Sequence, residues 1–255
     1  MLTRREERLL RSLRQRKARE SEGLFLVEGV RAVEDLLASP LVPRLAVAAS
    51  SLGDTPRGQA LIQLLARQRV PLHEAPDRAL AELADTETPQ GILAVAPIPR
   101  AGLDALRMDA DPAALLVLDA VQDPGNLGTL ARTAEALGAA GVVALPGTVD
   151  PWNPKSVRAA MGSTFRLPVV ECGWDDLAPW LVTHDVQTLA AVVGGAPLEE
   201  PRPRRAALVL GNEGAGVGDE TRARADRAVG IPLRGRAESL NVAAAGAILL
   251  HELLR

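Results

Sequence analysis

Tyrosine is absent from this 255-residue sequence, and the other aromatic residues amount to two phenylalanines and three tryptophans. RNA-binding modules that stack several successive bases on aromatic rings need more of these side chains, so the composition argues against such a module. The single cysteine, Cys172, excludes an internal disulfide and argues against a thiolate metal cluster. We therefore expect no metal site.

Long apolar runs are also missing. No run reaches the roughly 20 residues that a membrane-spanning helix requires. The charged N-terminal stretch lacks the apolar core of a secretion signal. Hydrophobic residues nevertheless make up 47% of the chain, which is enough to build a sizeable core. These features predict a folded, cytoplasmic protein without a membrane partner.

The chain as a whole has no excess of positive charge, since its formal net charge is −3. The first 20 residues differ, because basic side chains outnumber acidic ones there. The basic residues are Arg4, Arg5, Arg8, Arg11, Arg14, Arg16, Lys17 and Arg19, and the acidic ones are Glu6, Glu7 and Glu20. Such a segment suits contact with phosphate groups, but a solvated helix face explains it equally well.

The first 100 residues alternate between strand and helix patterns. A basic helix is predicted over 2–20, and short apolar strands follow at 24–27, 45–49, 70–73 and 91–96. This alternation predicts a smaller α/β domain over residues 1–100. Pro97, Pro99, Gly102 and the polar stretch up to Pro112 then indicate a linker over residues 101–112.

Residues 113–255 have the pattern of a parallel α/β sheet. Apolar strands are predicted at 114–119, 142–145, 167–170, 188–193, 206–210 and 228–231, and helical stretches separate them. Strands that are apolar on both faces belong to parallel sheets covered by helices on both sides. Ligands of such sheets bind beyond the carboxyl ends of the strands, so the loops at those ends are the candidate site.

One of these loops, GNEGAGVG at 211–218, invites comparison with nucleotide-phosphate loops. Its glycine spacing does not match the dinucleotide fingerprint, and no Gly-Lys-Ser/Thr sequence follows it. A plain tight turn does not explain a carboxylate, Glu213, set among four glycines. Glycines at those positions would let a ligand approach the backbone closely.

Three of the loops together carry a specific set of residues. These are Asn126, Gly128-Thr129 and Arg132 after the first strand, Glu213 in GNEG after the fifth, and Ile231-Pro232 with SLNVAA at 239–244 after the sixth. In residue types, order and strand context the set resembles the SpoU-type RNA ribose 2′-O-methyltransferases of the SPOUT superfamily. The motifs extend over most of residues 113–255.

The N-terminal part is similar to the accessory domain of the rRNA-directed members of this family. A basic helix precedes FLVEG at 25–29, and TPQG at 88–91 closes the domain. This second resemblance implies a small, ribosomal-protein-like RNA-binding domain. It favours 23S-type rRNA as the substrate.

The resemblance implies that the protein transfers a methyl group from S-adenosyl-L-methionine to a ribose 2′-hydroxyl of RNA. It further implies that the C-terminal chain forms a deep trefoil knot within a Rossmann-like parallel sheet, and that the protein is a homodimer. The strand and helix patterns by themselves predict only an ordinary doubly wound sheet, because protein chains rarely thread loops.

The resemblance also assigns catalytic roles. Arg132 is the catalytic residue, as a general base or as an electrostatic stabiliser of the developing alkoxide. A guanidinium stays protonated in proteins, which makes the second role easier to defend. Asn126 and Glu213 are expected to orient Arg132 and the loops.

Two further groups of residues complete the predicted site. Ser239 and Asn241 are expected to contact the ribose or the loops, and Ser239 is also the predicted N-cap of the last helix. Main-chain groups at Gly211, Ile231 and Leu240 are expected to hold the adenosine part of the cofactor.

Other functions remain open at this stage. The substrate could be tRNA, and a non-catalytic RNA-binding or ribosome-assembly protein could share the scaffold. A nucleotide-dependent oxidoreductase would need a glycine fingerprint in the first strand–helix unit, and Gln122-Asp123-Pro124-Gly125-Asn126 is not one. The sequence does not identify the modified nucleotide.

Overall fold

The computed structural model describes residues 2–199 and 201–255. The chain divides into two units. The first contains the residues up to Pro99 together with Trp152–Arg166, and the second contains Arg100–Pro151 together with Leu167–Arg255. The domain boundaries at residues 100 and 113 stay a prediction.

Helices and strands alternate along most of the described residues. The strands are β1 (Leu24–Glu28), β2 (Leu45–Ala49), β3 (Leu72–Ala75), β4 (Ile92–Pro97), β5 (Ala113–Asp119), β6 (Val142–Ala144), β7 (Val169–Glu171), β8 (Gln187–Ala196), β9 (Arg205–Gly211) and β10 (Arg227–Val229). The helices are α1 (Arg4–Ser12), α2 (Arg16–Glu22), α3 (Val30–Leu37), α4 (Pro56–Arg67), α5 (Asp77–Leu83), α6 (Pro124–Leu137), α7 (Pro154–Ala160), α8 (Trp174–Thr183), α9 (Asp219–Arg224) and α10 (Val242–Leu254).

The first unit is built on a four-stranded sheet with the order β1-β4-β2-β3. Strand β4 runs antiparallel to both β1 and β2, whereas β2 and β3 are parallel. Leucine and valine side chains from the sheet pack with Leu10 and Leu13 of the N-terminal segment and with Leu80 and Leu83 of α5. The N-terminal segment is therefore part of the core.

The basic helix predicted over residues 2–20 is interrupted. Helix α1 ends at Ser12, and Gln15 has an extended backbone before α2 begins at Arg16. The guanidinium of Arg19, which is 2% exposed, donates a hydrogen bond of 2.8 Å to the carbonyl oxygen of Leu13. This bond satisfies a carbonyl that a continuous helix would have bonded to a backbone N–H.

The segment that carries α7 packs within the first unit. The ring of Phe25 lies 4.8 Å from Trp152 and 5.9 Å from Phe165, measured between ring centroids. The guanidinium of Arg158 forms an ion pair of 2.8 Å with Asp85 and lies 3.8 Å from Glu28. Aromatic packing and a partly buried ion-pair cluster thus attach this segment to β1 and its surroundings.

The second unit is built on a six-stranded sheet in which all pairs are parallel. Its order is β10-β8-β9-β5-β6-β7. Central strands β5 and β9 are buried almost throughout, which is why their sequences are continuously apolar. The prediction of a parallel α/β sheet over this part of the chain is confirmed.

The last helix, α10, packs on α6 and on strands β5 and β9. A Cβ atom on Gly246 would lie 2.5 Å from Leu130 and 2.6 Å from Leu210, so the absence of a side chain allows the close approach. Among the described helices, none is long and apolar enough to span a membrane.

Candidate active site

The candidate site lies at the carboxyl edge of the six-stranded sheet. Strand β5 ends at Asp119 and its neighbour β9 ends at Gly211, and these two residues are partners in the parallel register. The loops that follow them carry two of the three motifs found in the sequence. The third motif joins them because the chain returns from β10 to α10, which packs beside α6.

Glu213 connects the second motif to the first. Its carboxylate accepts hydrogen bonds of 3.0 Å from the backbone N–H groups of Gln122 and Asp123 and from the side-chain amide of Asn126. Burial raises the pKa of Glu213, but the bonds from Asn126, Gln122 and Asp123 outweigh this effect and bring the pKa below its ordinary value. The carboxylate is therefore held ionised against the first turn of α6.

Asn126 in turn connects to the third motif. The side-chain amide of Asn241 donates a hydrogen bond of 3.0 Å to the side-chain oxygen of Asn126. The oxygen of Asn241 accepts bonds of 2.8 and 3.3 Å from the backbone N–H groups of Ala243 and Ala244. Asn241 is thus the N-cap of α10, and the prediction that Ser239 caps this helix is wrong. An amide two residues closer to the helix provides a better-placed acceptor.

The loop that carries Glu213 is shaped by its neighbour Asn212. The side-chain oxygen of Asn212 accepts bonds of 2.9 Å from the N–H groups of Gly214 and Ala215, and its amide donates to the carbonyl of Ala120 at 3.0 Å. Asn212 and Gly216 also pair through their backbones. A Cβ atom on Gly211 would lie 2.1 Å from Gly216, so only glycine fits where the loop folds back.

A second set of contacts fixes the far end of this loop. The carboxylate of Asp119 accepts bonds from the N–H of Gly218 at 2.7 Å and from the hydroxyl of Thr221 at 2.6 Å. The same hydroxyl, on a residue only 1% exposed, accepts a bond of 3.2 Å from the indole N–H of Trp174. The loop is therefore held at both ends against the carboxyl end of β5.

The loop after β6 is tied into the same region. The hydroxyl of Thr148 donates to the carbonyl of Leu118 at 2.8 Å and accepts from the N–H of Ala120 at 3.1 Å. The side-chain amide of Gln122 donates to the carbonyl of Gly147. These bonds hold the loop against the carboxyl end of β5.

Sequence reasoning missed Asp119, Thr148, Asn212 and Thr221. A polar residue directly at the carboxyl end of a strand, as at Asp119 and Asn212, was the signal that could have found two of them.

Arg132 lies apart from this cluster within the chain. It is exposed on α6 and follows Asn126 by six residues, or about 9 Å along the helix axis. Within residues 2–199 and 201–255 it forms no hydrogen bond or ion pair. The structure therefore does not bring Arg132 into contact with Asn126 or Glu213, and its guanidinium faces solvent.

The segment between β10 and α10 is unusual in its hydrogen bonding. From Ile231 to Leu240, no backbone N–H donates a hydrogen bond to any residue that the structure describes. Ile231 is half-buried, and the side chain of Leu240 is 38% exposed. Ser239 is exposed in the same segment. Three of the predicted site residues, Ile231, Ser239 and Leu240, thus have backbone N–H groups that remain available to a ligand.

Metal ligands are not grouped in the part of the chain that the structure describes. No cluster of three or more His, Cys, Asp or Glu side chains there could hold a metal ion. The polar groups at the sheet edge are instead amides, hydroxyls and the hydrogen-bonded carboxylates of Glu213 and Asp119. Such groups can position loops and bind hydroxyl or amide groups of an organic ligand.

Two family models match the chain. The model of the SpoU rRNA Methylase family matches residues 113–251, and that of the MRM3-like substrate binding domain matches residues 8–94. The 23S rRNA (guanosine(2553)-2′-O)-methyltransferase RlmP of Bacillus subtilis is 37% identical over 246 residues. That alignment covers 95% of this chain and 93% of the relative.

Solved structures agree with this similarity. The SpoU methyltransferase AviRb from Streptomyces viridochromogenes, in complex with the cofactor AdoMet, superposes with a TM-score of 0.88 at 26% identity and covers 99% of this chain and 97% of its own. An AdoMet-bound rRNA methyltransferase from Sinorhizobium meliloti gives 0.86 at 29% identity, with 99% and 95% covered. These findings confirm the predictions of family and enzyme class, and they support the predicted cofactor. The chain belongs to the SpoU rRNA methylase family.

Proposed function

We propose that this protein transfers the methyl group of S-adenosylmethionine to a ribose 2′-hydroxyl of 23S-type rRNA. The observation that carries this proposal is the chain of hydrogen bonds from Glu213 through Asn126 to Asn241. It joins three segments that are widely separated in sequence and that contain the residues of the SpoU motifs. The rRNA methyltransferases of Bacillus subtilis and Sinorhizobium meliloti support the choice of rRNA.

The residues of the third loop fit the cofactor. S-adenosylmethionine supplies a methyl group activated by a sulfonium centre when it is bound. The free N–H groups of the segment from Ile231 to Leu240 can donate hydrogen bonds to an adenine ring or a ribose, and the side chains of these two residues can cover apolar edges. Gly211 lies at the carboxyl end of β9 beside Asp119, so its main chain is assigned to the same cofactor site.

Arg132 is the proposed catalytic residue. Its guanidinium carries a permanent positive charge and five N–H donors, and within the described residues none of them is engaged. It can therefore stabilise negative charge as the 2′-oxygen becomes a better nucleophile, and it can bind the adjacent phosphate. The 2′-hydroxyl proton leaves to solvent in this scheme, since a guanidinium does not act as a base at neutral pH. The methyl carbon would form its bond to the 2′-oxygen as its bond to sulfur breaks, which would leave a neutral thioether.

The hydrogen-bonded cluster has a positioning role in this proposal. Glu213 fixes the first turn of α6, and Asn126 and Asn241 fix the start of α10. The position of the C-terminal end of the segment from Ile231 to Leu240 is therefore fixed by Asn241. We assign Ser239 to a contact with the ribose, because its hydroxyl is exposed and makes no hydrogen bond within residues 2–199 and 201–255.

Three structural features belong to the same proposal. The first is a deep trefoil knot. Strand β10 is at the edge of the sheet beside β8, yet the chain after it returns across β8 and β9 to reach α6. The match to the SpoU rRNA Methylase family model supports the knot, because the resemblance to this family implies it.

The second feature is a separate RNA-binding domain at 1–100 with a linker at 101–112, which the family-model matches over 8–94 and 113–251 support.

The third feature is a homodimer. Leu233, Leu240 and Ile248 are 38%, 38% and 43% exposed in one chain. Large apolar side chains near a functional site often contribute to subunit interfaces.

We also propose a cytoplasmic location, where rRNA is available as a substrate.

An assay with radiolabelled S-adenosylmethionine tests the activity. Deproteinised rRNA and bulk tRNA are incubated separately with the protein, and the RNA is then digested with alkali. A 2′-O-methyl group blocks cleavage of the neighbouring phosphodiester, so label must appear in alkali-resistant dinucleotides from rRNA. Label in tRNA alone would change the substrate to tRNA. Cofactor binding without transfer to either RNA would contradict the catalytic proposal.

A further inference from the structure

Helix α1 presents three arginines on the side opposite the core. Arg4, Arg5 and Arg8 are all exposed, and their positions on a helix fall within an arc of roughly 100°. The opposite side of this segment buries Leu10 and Leu13, each 0% exposed. The orientation of α1 is therefore fixed by the core, and the three side chains point away from it.

These three arginines differ from most other basic residues of the segment, which have structural roles. Arg11 forms ion pairs with Glu7 at 3.0 Å and Glu82 at 3.4 Å, and Arg16 forms one with Glu20 at 2.7 Å. Arg14 donates to the carbonyl oxygens of Glu82 and Ala84. Arg19 is buried against Leu13. Only part of the basic segment is thus available to a partner.

The acidic residues of α1 are engaged elsewhere. Glu6 completes a capping box with Thr3 and lies 3.1 Å from the ring of His73. Glu7 is paired with Arg11. Arg4, Arg5 and Arg8 form no ion pair or hydrogen bond within residues 2–199 and 201–255. Their charges are consequently not neutralised by the fold.

We propose that Arg4, Arg5 and Arg8 bind backbone phosphates of the substrate rRNA. Guanidinium groups bind phosphate oxygens through paired N–H donors, and three of them on one rigid helix form a continuous phosphate-binding surface. This inference rests on the proposed function, because it names the surface that holds the RNA during methyl transfer. Arg4 and Arg5 lie before residue 8, where the match to the substrate-binding-domain model begins.

The buried residues decide which variant can test the proposal. Deleting residues 1–20 would remove Leu10, Leu13 and Arg19 from the core and would unfold the first unit. The triple substitution R4Q/R5Q/R8Q avoids this, because the three side chains are exposed and glutamine is a good helix former. Circular dichroism and the affinity for S-adenosylmethionine should remain those of the wild-type protein.

The measurement is the affinity for deproteinised 23S rRNA as a function of salt. Each phosphate contact contributes about 0.7 to 0.9 to the slope of log K against log salt, so losing three contacts should reduce the slope by about 2 to 3. Between 50 and 200 mM salt, the wild-type affinity should accordingly fall about 20- to 40-fold more than that of the triple variant.

A second triple variant controls for net charge. R57Q/R204Q/R255Q removes three exposed arginines that are paired with Glu34, Asp111 and Glu252. It changes the formal charge by the same amount but should leave the slope within about 1 of the wild-type value.

The outcomes separate this inference from the proposed function. An unchanged slope in R4Q/R5Q/R8Q, or an equal decrease in the control triple, would overturn the inference while rRNA methylation by the wild-type protein stands. A wild-type protein that neither binds nor methylates rRNA would overturn both.

Discussion

The side-chain amide of Asn241 donates a hydrogen bond of 3.0 Å to the side-chain oxygen of Asn126, which is 115 residues away in sequence. Asn126 uses its own amide to bond Glu213 at 3.0 Å, so its oxygen must face Asn241. The amide of Asn126 and the amide of Asn241 therefore each have one orientation that satisfies their hydrogen bonds. This relationship makes the start of α10 dependent on the first turn of α6.

Substitution of Asn241 should separate capping from positioning. The carboxylate introduced by Asn241→Asp would still accept from Ala243 and Ala244 but would lie against the oxygen of Asn126, so this variant should lower methyl transfer with little loss of stability. Asn241→Ala should lower transfer and also reduce the free energy of unfolding by about 1 kcal/mol, because the cap is lost. Urea denaturation and transfer rates measure the two effects. Wild-type turnover in Asn241→Asp would contradict the positioning role.

Arg132→Ala should decrease the rate of methyl transfer by about 10²- to 10³-fold, the usual cost of removing one electrostatic stabiliser of a transition state. Cofactor affinity and thermal stability should not change, since Arg132 makes no contact with another described side chain through a hydrogen bond or ion pair. Arg132→Lys keeps the charge without the planar pair of donors and should retain an intermediate rate. A near-normal rate in Arg132→Ala would exclude the proposed mechanism.

The ionisation of Glu213 should appear in the pH dependence of stability. Its pKa in the folded protein lies below the ordinary value of 4.5, so the carboxylate stabilises the fold above pH 4.5. That contribution is lost as the pH falls through the lowered pKa. The difference in Tm between the wild-type protein and Glu213→Gln should therefore be largest near neutral pH and should shrink in acid. A difference that stays constant down to about pH 3 would argue against an ionised Glu213.

Thr221→Val should reduce the free energy of unfolding by about 1 to 3 kcal/mol. Valine has nearly the same shape, but it leaves the indole N–H of Trp174 without its acceptor and removes one donor from Asp119. Thr221→Ser keeps the hydroxyl and should be closer to the wild-type protein. Equal stability of the serine and valine variants in urea denaturation would show that the hydroxyl makes no net contribution.

Ile248→Arg should convert the proposed homodimer into a monomer. A charged side chain at an apolar subunit contact would be buried without a partner. Val182→Arg is a matched control, because Val182 is 82% exposed on α8 and should not alter the mass. Light scattering coupled to gel filtration gives the masses. If the wild-type protein is a monomer, or if both variants remain dimers, Ile248 is not part of a subunit contact.

Several features of the fold could be predicted because they depend on local patterns. Continuous apolar runs such as 114–119 and 206–210 indicate strands that are buried on both faces, and the structure confirms them as β5 and β9 at the centre of a parallel sheet. The boundaries were less accurate. The strand predicted at 70–73 lies at Leu72–Ala75, and the single N-terminal helix is interrupted at Gln15, whose backbone is extended.

The candidate site was predictable only in its outline. The order and spacing of the motifs named Asn126, Glu213 and Asn241, but nothing local to these residues indicates that they bond to one another. The same limit explains why the residue types alone predict Ser239 as the cap of α10. Serine is a good capping residue by type, whereas the choice between Ser239 and Asn241 depends on where the backbone turns into the helix.

The parallel sheet and the family could be predicted before the structure was known, because apolar periodicity and motif spacing are properties of neighbouring positions. The partners of the polar groups, by contrast, depend on the folded arrangement of the strands. Asp119 and Thr221 are 102 residues apart and Glu213 and Asn126 are 87 apart, so their bonds exist only once the strands are ordered in the sheet. The tertiary structure likewise separated the basic residues that stabilise the fold from Arg4, Arg5 and Arg8, because the position of a partner, rather than charge, distinguishes them.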